Sequence, residues 1–292
     1  MLLKRLLDQN TRVQYRRLRL MVRYPAVSGR FYPSDGHSLT KEVKRYTKQG
    51  AGEKPSEKIR AIGIISPHAG LTYCGEVAGA VYSNIEIPDT IILIGPNHTG
   101  AGEQISIMSE GVWQMPQGNI EIDHELADAI CQISVTAKKD NKAHQKEHSI
   151  ETQLPFLQFY RDNFKIVPIC MMRLELDKCA ELSHAIVKAV EQTGRSILIV
   201  ASSDMTHYET HESASKKDKG AIDQILKLDA RGLFNTIRDK NISMCGVNPA
   251  VIMLLCACKM GAKEALMAKY MTSGEISGDM DHVVGYAGII VK

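Results

Sequence analysis

Residues 90–100 read TIILIGPNHTG, and this stretch decides the fold. Its first six residues are nearly continuous in Ile and Leu, the pattern of a strand buried on both faces. Gly95 and Pro96 then form a tight turn, and His98 follows where a buried strand has just ended. Four further runs share this character: IRAIGIIS (59–66), FKIVPIC (164–170), SILIVAS (196–202) and HVVGYAGIIV (282–291). Helical patterns lie between them at 76–83, 124–133, 150–161, 178–191, 214–226 and 249–260. Asp123 is placed to N-cap the second of these, and Pro155 makes the third kink or start late. The alternation predicts an α/β fold: a single-domain three-layer sandwich with a mostly parallel central sheet and helices on both faces.

Composition narrows the function. The chain has 292 residues, 44% hydrophobic and 24% charged, which suits one large α/β domain. Its formal charge of +3 suggests a nucleic-acid partner until the charge is located. Residues 1–20 hold Lys4, Arg5, Arg12, Arg16, Arg17 and Arg19 against Asp8 alone, a net +5 that leaves −2 for the rest. A slightly acidic body argues against nucleic acid. Residues 1–20 are therefore expected to be a basic extension, either a disordered arm or sequence ahead of a true start at Met21. The α/β domain is expected over 21–292. The segment lacks an apolar core with a cleavage site, and it contains no serine, so neither a signal peptide nor a transit peptide fits. No apolar run approaches the ~20 residues of a membrane span. Seven irregularly spaced cysteines, with no CxxC pair, point to a reducing cytoplasm and to packing roles for most of them. GAGEKPSEK (50–58) reads as a hinge-like loop.

Chemistry collects where strands stop. IISPHAG places His68 after one strand, ILIGPNHTG places His98 after another, and SSDMTHY places Asp204 and His207 after a third. Open α/β sheets bind ligands outside the carboxyl ends of their strands, so these residues are expected to share a crevice. A single histidine usually caps a loop or sits on the surface, and His37, His124, His184 and His211 are assigned there. His68 and His98 differ, because both follow buried strands through rigid turns containing proline. Neutral imidazole is a common metal ligand, so the two form a candidate metal pair. KEHSIETQLPF puts His148 and Glu151 three apart, on one face if helical. ISMCGVNPA puts Cys245 ahead of an apolar helix, where a thiol tends toward thiolate; core packing is the alternative.

Five motifs in order, SPHAGLTYCGEVAGAVY, ILIGPNHTG, EHSIETQLPFL, SSDMTHY and MCGVNPA, resemble the Memo family in its bacterial, Memo-like form. The resemblance runs from about Tyr24 to Gly288. It implies the single-domain fold of the class III extradiol ring-cleaving dioxygenases. It also implies a metal trio of His68, His98 and Cys245, with Asp204 and His207 as supporting or acid-base residues and His148 in the same pocket. Phe31, in SGRFY, Tyr73 and Glu151 become candidate pocket walls. Iron(II) or copper is the implied metal, with zinc as a variant. The ring-cleaving enzymes use two histidines and a carboxylate, so a cysteine ligand leaves simple ring cleavage untransferred. Bacterial relatives accompany AMMECR-type and radical-SAM proteins, which makes these the implied partners.

Two functions follow. One is a metal-dependent, redox-type enzyme for a small molecule, with His207 as general acid/base oriented by Asp204. The other is a binding or adaptor module that uses the former pocket for a peptide or partner protein. A serine hydrolase does not fit, since no GxSxG elbow occurs, and zinc-assisted hydrolysis at the same His/His/Cys pocket is a minor variant.

Overall fold

In the computed structural model, residues 21–50 and 57–292 are described; the basic segment 1–20 and most of the expected hinge lie outside them. In chain order the first elements are β1 (Val22–Arg23), α1 (Gly36–Gly50), β2 (Gly63–Ser66), α2 (Leu71–Tyr82) and β3 (Thr90–Pro96). Next come β4 (Ile105–Ile107), β5 (Val112–Met115), β6 (Gly118–Ile122), α3 (His124–Ile133) and β7 (Lys138–Lys139). A 3-10 turn at Glu151–Gln153 leads into α4 (Leu154–Tyr160), followed by β8 (Lys165–Met171), α5 (Leu176–Thr193) and β9 (Ile197–Ser202). The chain ends with β10 (His207–Glu209), α6 (His211–Leu226), α7 (Ala230–Asp239), α8 (Val247–Lys259), β11 (Ala265–Thr272), α9 (Gly274–Ser277) and β12 (Val283–Val291).

The strands build one sheet, ordered β1-β5-β6-β8-β3-β9-β2-β12-β10. Its centre, β6-β8-β3-β9-β2, is parallel throughout. Every residue of β3 and β9 is buried, as their continuous apolar character requires for strands covered on both faces. Antiparallel pairings join β12 with β2, β10 and β11, β5 with β6, and β4 with β8. Helices α1, α2 and α4 pack together as one layer, and α3, α5, α6, α7 and α8 form a connected second layer. The α/β sandwich is thus as the pattern predicts.

Boundaries differ in instructive places. Asp123 caps α3, accepting from the Leu126 N–H at 3.2 Å. Pro155 sits in the first turn of α4, so that helix starts late, after the 3-10 turn. Helix α2 begins at Leu71, five residues before its predicted start. Gly75 and Gly79 weaken its sequence signal, yet close packing requires them: a Cβ on Gly79 would lie 2.5 Å from the Tyr46 carbonyl oxygen.

Candidate metal centre

Three neighbouring parallel strands end together. In the order β3-β9-β2, Ser66 pairs with Ser202 and Ile94 with Ala201, so their exits lie level. Pro67–His68, Asn97–His98 and Ser203–Asp204 therefore leave the sheet side by side, as the strand-end argument requires. A fourth segment, the loop before the 3-10 turn, lays His148 over them. It sits close because Gly95 has no side chain: a Cβ there would meet the Ser149 Oγ at 2.5 Å.

His68, His98 and His148 each offer a ring nitrogen, and these atoms all lie within 4.8 Å of one another. Ring centroids are 5.2 Å apart for His68–His98, 5.5 Å for His68–His148 and 4.7 Å for His98–His148. Hydrogen bonding fixes two of the tautomers. The Ser202 Oγ donates its one proton to the Ser149 carbonyl at 2.6 Å and accepts from Gln153 Nε2 at 3.0 Å. Its contact with His68 Nδ1, at 2.8 Å, must then be donated by the ring. Gln153 cannot be turned the other way, because its Nε2 also meets the Pro67 carbonyl, an acceptor only. His68 is consequently protonated on Nδ1, leaving the Nε2 lone pair for the crevice. His98 follows the same logic, since its Nδ1 lies 2.9 Å from the Glu147 carboxylate.

Glu147 is the residue that sequence reasoning missed. It is 1% exposed, and its oxygens accept the His98 N–H at 2.5 Å and the His148 and Ser149 N–H groups at 2.8 Å each. Burial raises its pKa, but the bond and charge from His98 and the Ser149 N–H bring it down to about 2. Its neighbour in sequence, His148, was a signal; its main partner, His98, lies 49 residues away. Burial lowers the pKa of His98, an effect that Glu147 more than offsets, so the net shift is upward. Burial, with His98 and His148 adding to it, pushes His68 well down, and burial also lowers His148. Both are thus held in the neutral, metal-ligating form.

Cys245 borders the cluster without belonging to the mutually close group. Its Sγ lies 3.3 Å from His68 Nε2 and 3.3 Å from the Asp204 N–H that points at it. The expected thiolate is not favoured: burial and the Asp204 carboxylate raise this thiol far above its ordinary value, overriding the nearby helix start. Asp204, 5% exposed, accepts the His68 N–H at 2.8 Å. It makes no hydrogen bond to His207, contrary to the expected orientation. The His207 Nδ1 is instead 3.0 Å from the Ser243 carbonyl oxygen.

The pocket walls divide. Phe31 stands edge-on to His148, with ring centroids 5.0 Å apart. Tyr73 is 43% exposed on the first turn of α2. Glu151 faces away from the crevice. It is fully buried, ion-paired with Arg23, and accepts from the Ala26 and Val27 N–H groups and the Tyr32 hydroxyl. Helical spacing misplaced it, because His148 lies in the loop before the 3-10 turn at 151–153 and the two residues share no helix.

Comparison with known proteins agrees with the motifs. Residues 23–290 match the Memo family, described as Memo-like protein. A MEMO1 family protein of Methanopyrus kandleri is 40% identical over 281 residues, covering 93% of this chain and 99% of its own. Those of Methanosarcina acetivorans and Pyrobaculum aerophilum are 43% and 41% identical over 272 and 278 residues, with the same coverage of both chains. These relatives are archaeal, which overturns the bacterial assignment drawn from the motifs.

Proposed function

The chain belongs to the Memo-like protein family, and on that premise we propose that it is a metal-dependent enzyme acting on a small molecule. His68, His98 and His148 hold the ion, and Cys245 supplies a further donor beside His68. One observation carries this reading: three imidazole nitrogens lie within 4.8 Å of one another. The residues fit the group, since Ser202 and Glu147 occupy the Nδ1 atoms of His68 and His98 and so leave both Nε2 lone pairs for a ligand. A carboxylate or carbonyl partner on the outer nitrogen is the usual support for a metal-bound histidine. Imidazoles with a thiol suit copper, iron or zinc. Bound there, iron or copper would supply one-electron chemistry and zinc Lewis-acid chemistry.

The protein's own side chains provide the rest. Glu147 fixes His98 and the His148 backbone, and Asp204 ties the His68 backbone to the same crevice. His207, anchored on Ser243 at the rim, is the proposed proton carrier. Phe31 covers one side of His148. Kinship with the extradiol dioxygenases belongs to this proposal, with a third histidine and a cysteine where those enzymes use a carboxylate; an oxidoreductase other than a ring-cleaving one is the reading favoured.

Metal analysis of protein reconstituted separately with iron(II), copper and zinc tests this. The unaltered protein is expected to retain about one ion per chain, and a His68→Ala/His98→Ala variant to retain none. Glu147→Gln, which leaves every ligand in place, is expected to weaken metal binding roughly 10- to 100-fold. Equal, negligible metal in the unaltered and double-variant proteins overturns the reading.

A further inference from the structure

Beside the histidine cluster lies a cavity of about 300 Å³ whose lining includes His98 and Cys245. That volume is at the small end for a ligand pocket. Its walls mix polar and apolar groups and are rich in thioethers: Met171 and Met244 are buried, and Met172 is half-buried. Thioether chains are soft and adaptable, and they suit an apolar body of variable shape. Among the lining residues there is no Asp or Glu, and Arg173 is the one Arg or Lys. Asn248 is already occupied, bonded in both directions to the Leu174 backbone. Among the described residues the Arg173 guanidinium has no hydrogen-bond or ion-pair partner.

An exposed arginine is ordinarily a solvated surface group. This one is set apart because it borders a methionine-rich cavity whose lining holds no Asp or Glu and includes His98 and Cys245 of the candidate metal centre. We propose that this cavity is a substrate subsite for a small carboxylate-bearing molecule with an apolar body, and that Arg173 selects for the carboxylate. The proposal rests on the metal-centre reading for what happens at the far end of the ligand, but its binding chemistry stands on the cavity alone. A guanidinium presents a planar fork that matches both oxygens of a carboxylate, so a bidentate pair forms there while the apolar tail lies along the methionines. The tail then points toward His98 and Cys245.

Isothermal titration of metal-free protein with hexanoate, and with the uncharged hexanamide as control, tests the subsite. Hexanoate is expected to bind about tenfold or more tightly than hexanamide, as a charge-assisted bidentate contact implies. Arg173→Met should abolish that preference and Arg173→Lys should keep part of it, with thermal unfolding confirming that both variants fold. Met172→Glu, which sets a like charge in the cavity at a half-buried position, should weaken hexanoate about tenfold or more and spare hexanamide. Equal binding of the two probes, a preference that survives Arg173→Met, or no binding of either up to about 10 mM overturns the proposal. Metal content distinguishes the two ideas. A chain that holds no metal yet prefers hexanoate through Arg173 keeps the subsite and removes the metal reading; one that holds metal without the preference removes the subsite alone.

Discussion

His144 is a buried imidazole outside the cluster, and its surroundings give it a different task from His68. Its Nε2 donates to the Ser106 carbonyl at 3.1 Å, its Nδ1 has no partner among the described residues, and the edge of Trp113 lies nearby. Burial lowers its pKa to about 4, although the Ser106 bond opposes the shift. The sign of the consequence is fixed. Below its ordinary value of about 6.5 the unfolded chain takes up a proton that the folded protein refuses. This contribution is therefore complete above pH ~6.5 and is lost progressively as pH falls toward 4, by about 1.4 kcal/mol per unit. Urea unfolding of metal-free protein between pH 7 and 4 should show His144→Phe with a shallower fall in stability than the unaltered chain. His68 and His148 titrate in both proteins, so the difference isolates His144. Coincident slopes would exclude this residue as a source of acid sensitivity.

At the scale of an element, the segment from Val22 to Tyr32 depends on a single carboxylate. Strand β1 has only two residues paired with β5, too few to fix the chain that follows. Glu151 does so instead, gathering the Arg23 guanidinium, two backbone N–H groups and the Tyr32 hydroxyl, all out of water. The Arg23 guanidinium also stacks over Trp113, 4.3 Å from its ring centroid. Phe31 is held against His148 by the same arrangement, with its carbonyl accepting the Leu71 N–H at 2.8 Å. Arg23→Met strands a buried charge, and the expected loss is about 3–5 kcal/mol. Arg23→Met/Glu151→Gln should recover part of it, because the neutral amide still accepts from the backbone. A loss below about 1 kcal/mol in the single variant, measured by chemical unfolding, would show the pair to be dispensable. This segment was invisible in the sequence because it has no periodicity of its own; partners more than a hundred residues away give it shape. The same holds for β4, β7 and β10, two or three residues each. By contrast β3, β8 and β9 were legible, since burial on both faces writes itself as an unbroken apolar run.

For the whole molecule, convergence is the property that matters. His68, His98 and His148 are spread over 80 residues, and only the assembled sheet brings their nitrogens together. The histidines themselves were readable, two of them because strand ends in an α/β sheet must face one crevice. Glu147 was not, since nothing local distinguishes a carboxylate that folds back on His98 from a solvated one. Because the unfolded chain contains no preformed site, an ion that binds this cluster favours the native state alone. The size of the effect follows from mass action: at about one hundred times its dissociation constant, a metal adds roughly 2.7 kcal/mol. Zinc(II) is a suitable probe, because it has no redox chemistry to damage the nearby thiol. For a domain of this size, that increment corresponds to a rise in Tm of roughly 4–6 °C. A chelator should reverse the rise, and His98→Ala should abolish most of it. Cys258→Ser, at an exposed cysteine outside the cluster, should leave it intact. A rise that persists in His98→Ala and vanishes in Cys258→Ser would place the bound ion elsewhere on the molecule and detach the three histidines from metal chemistry.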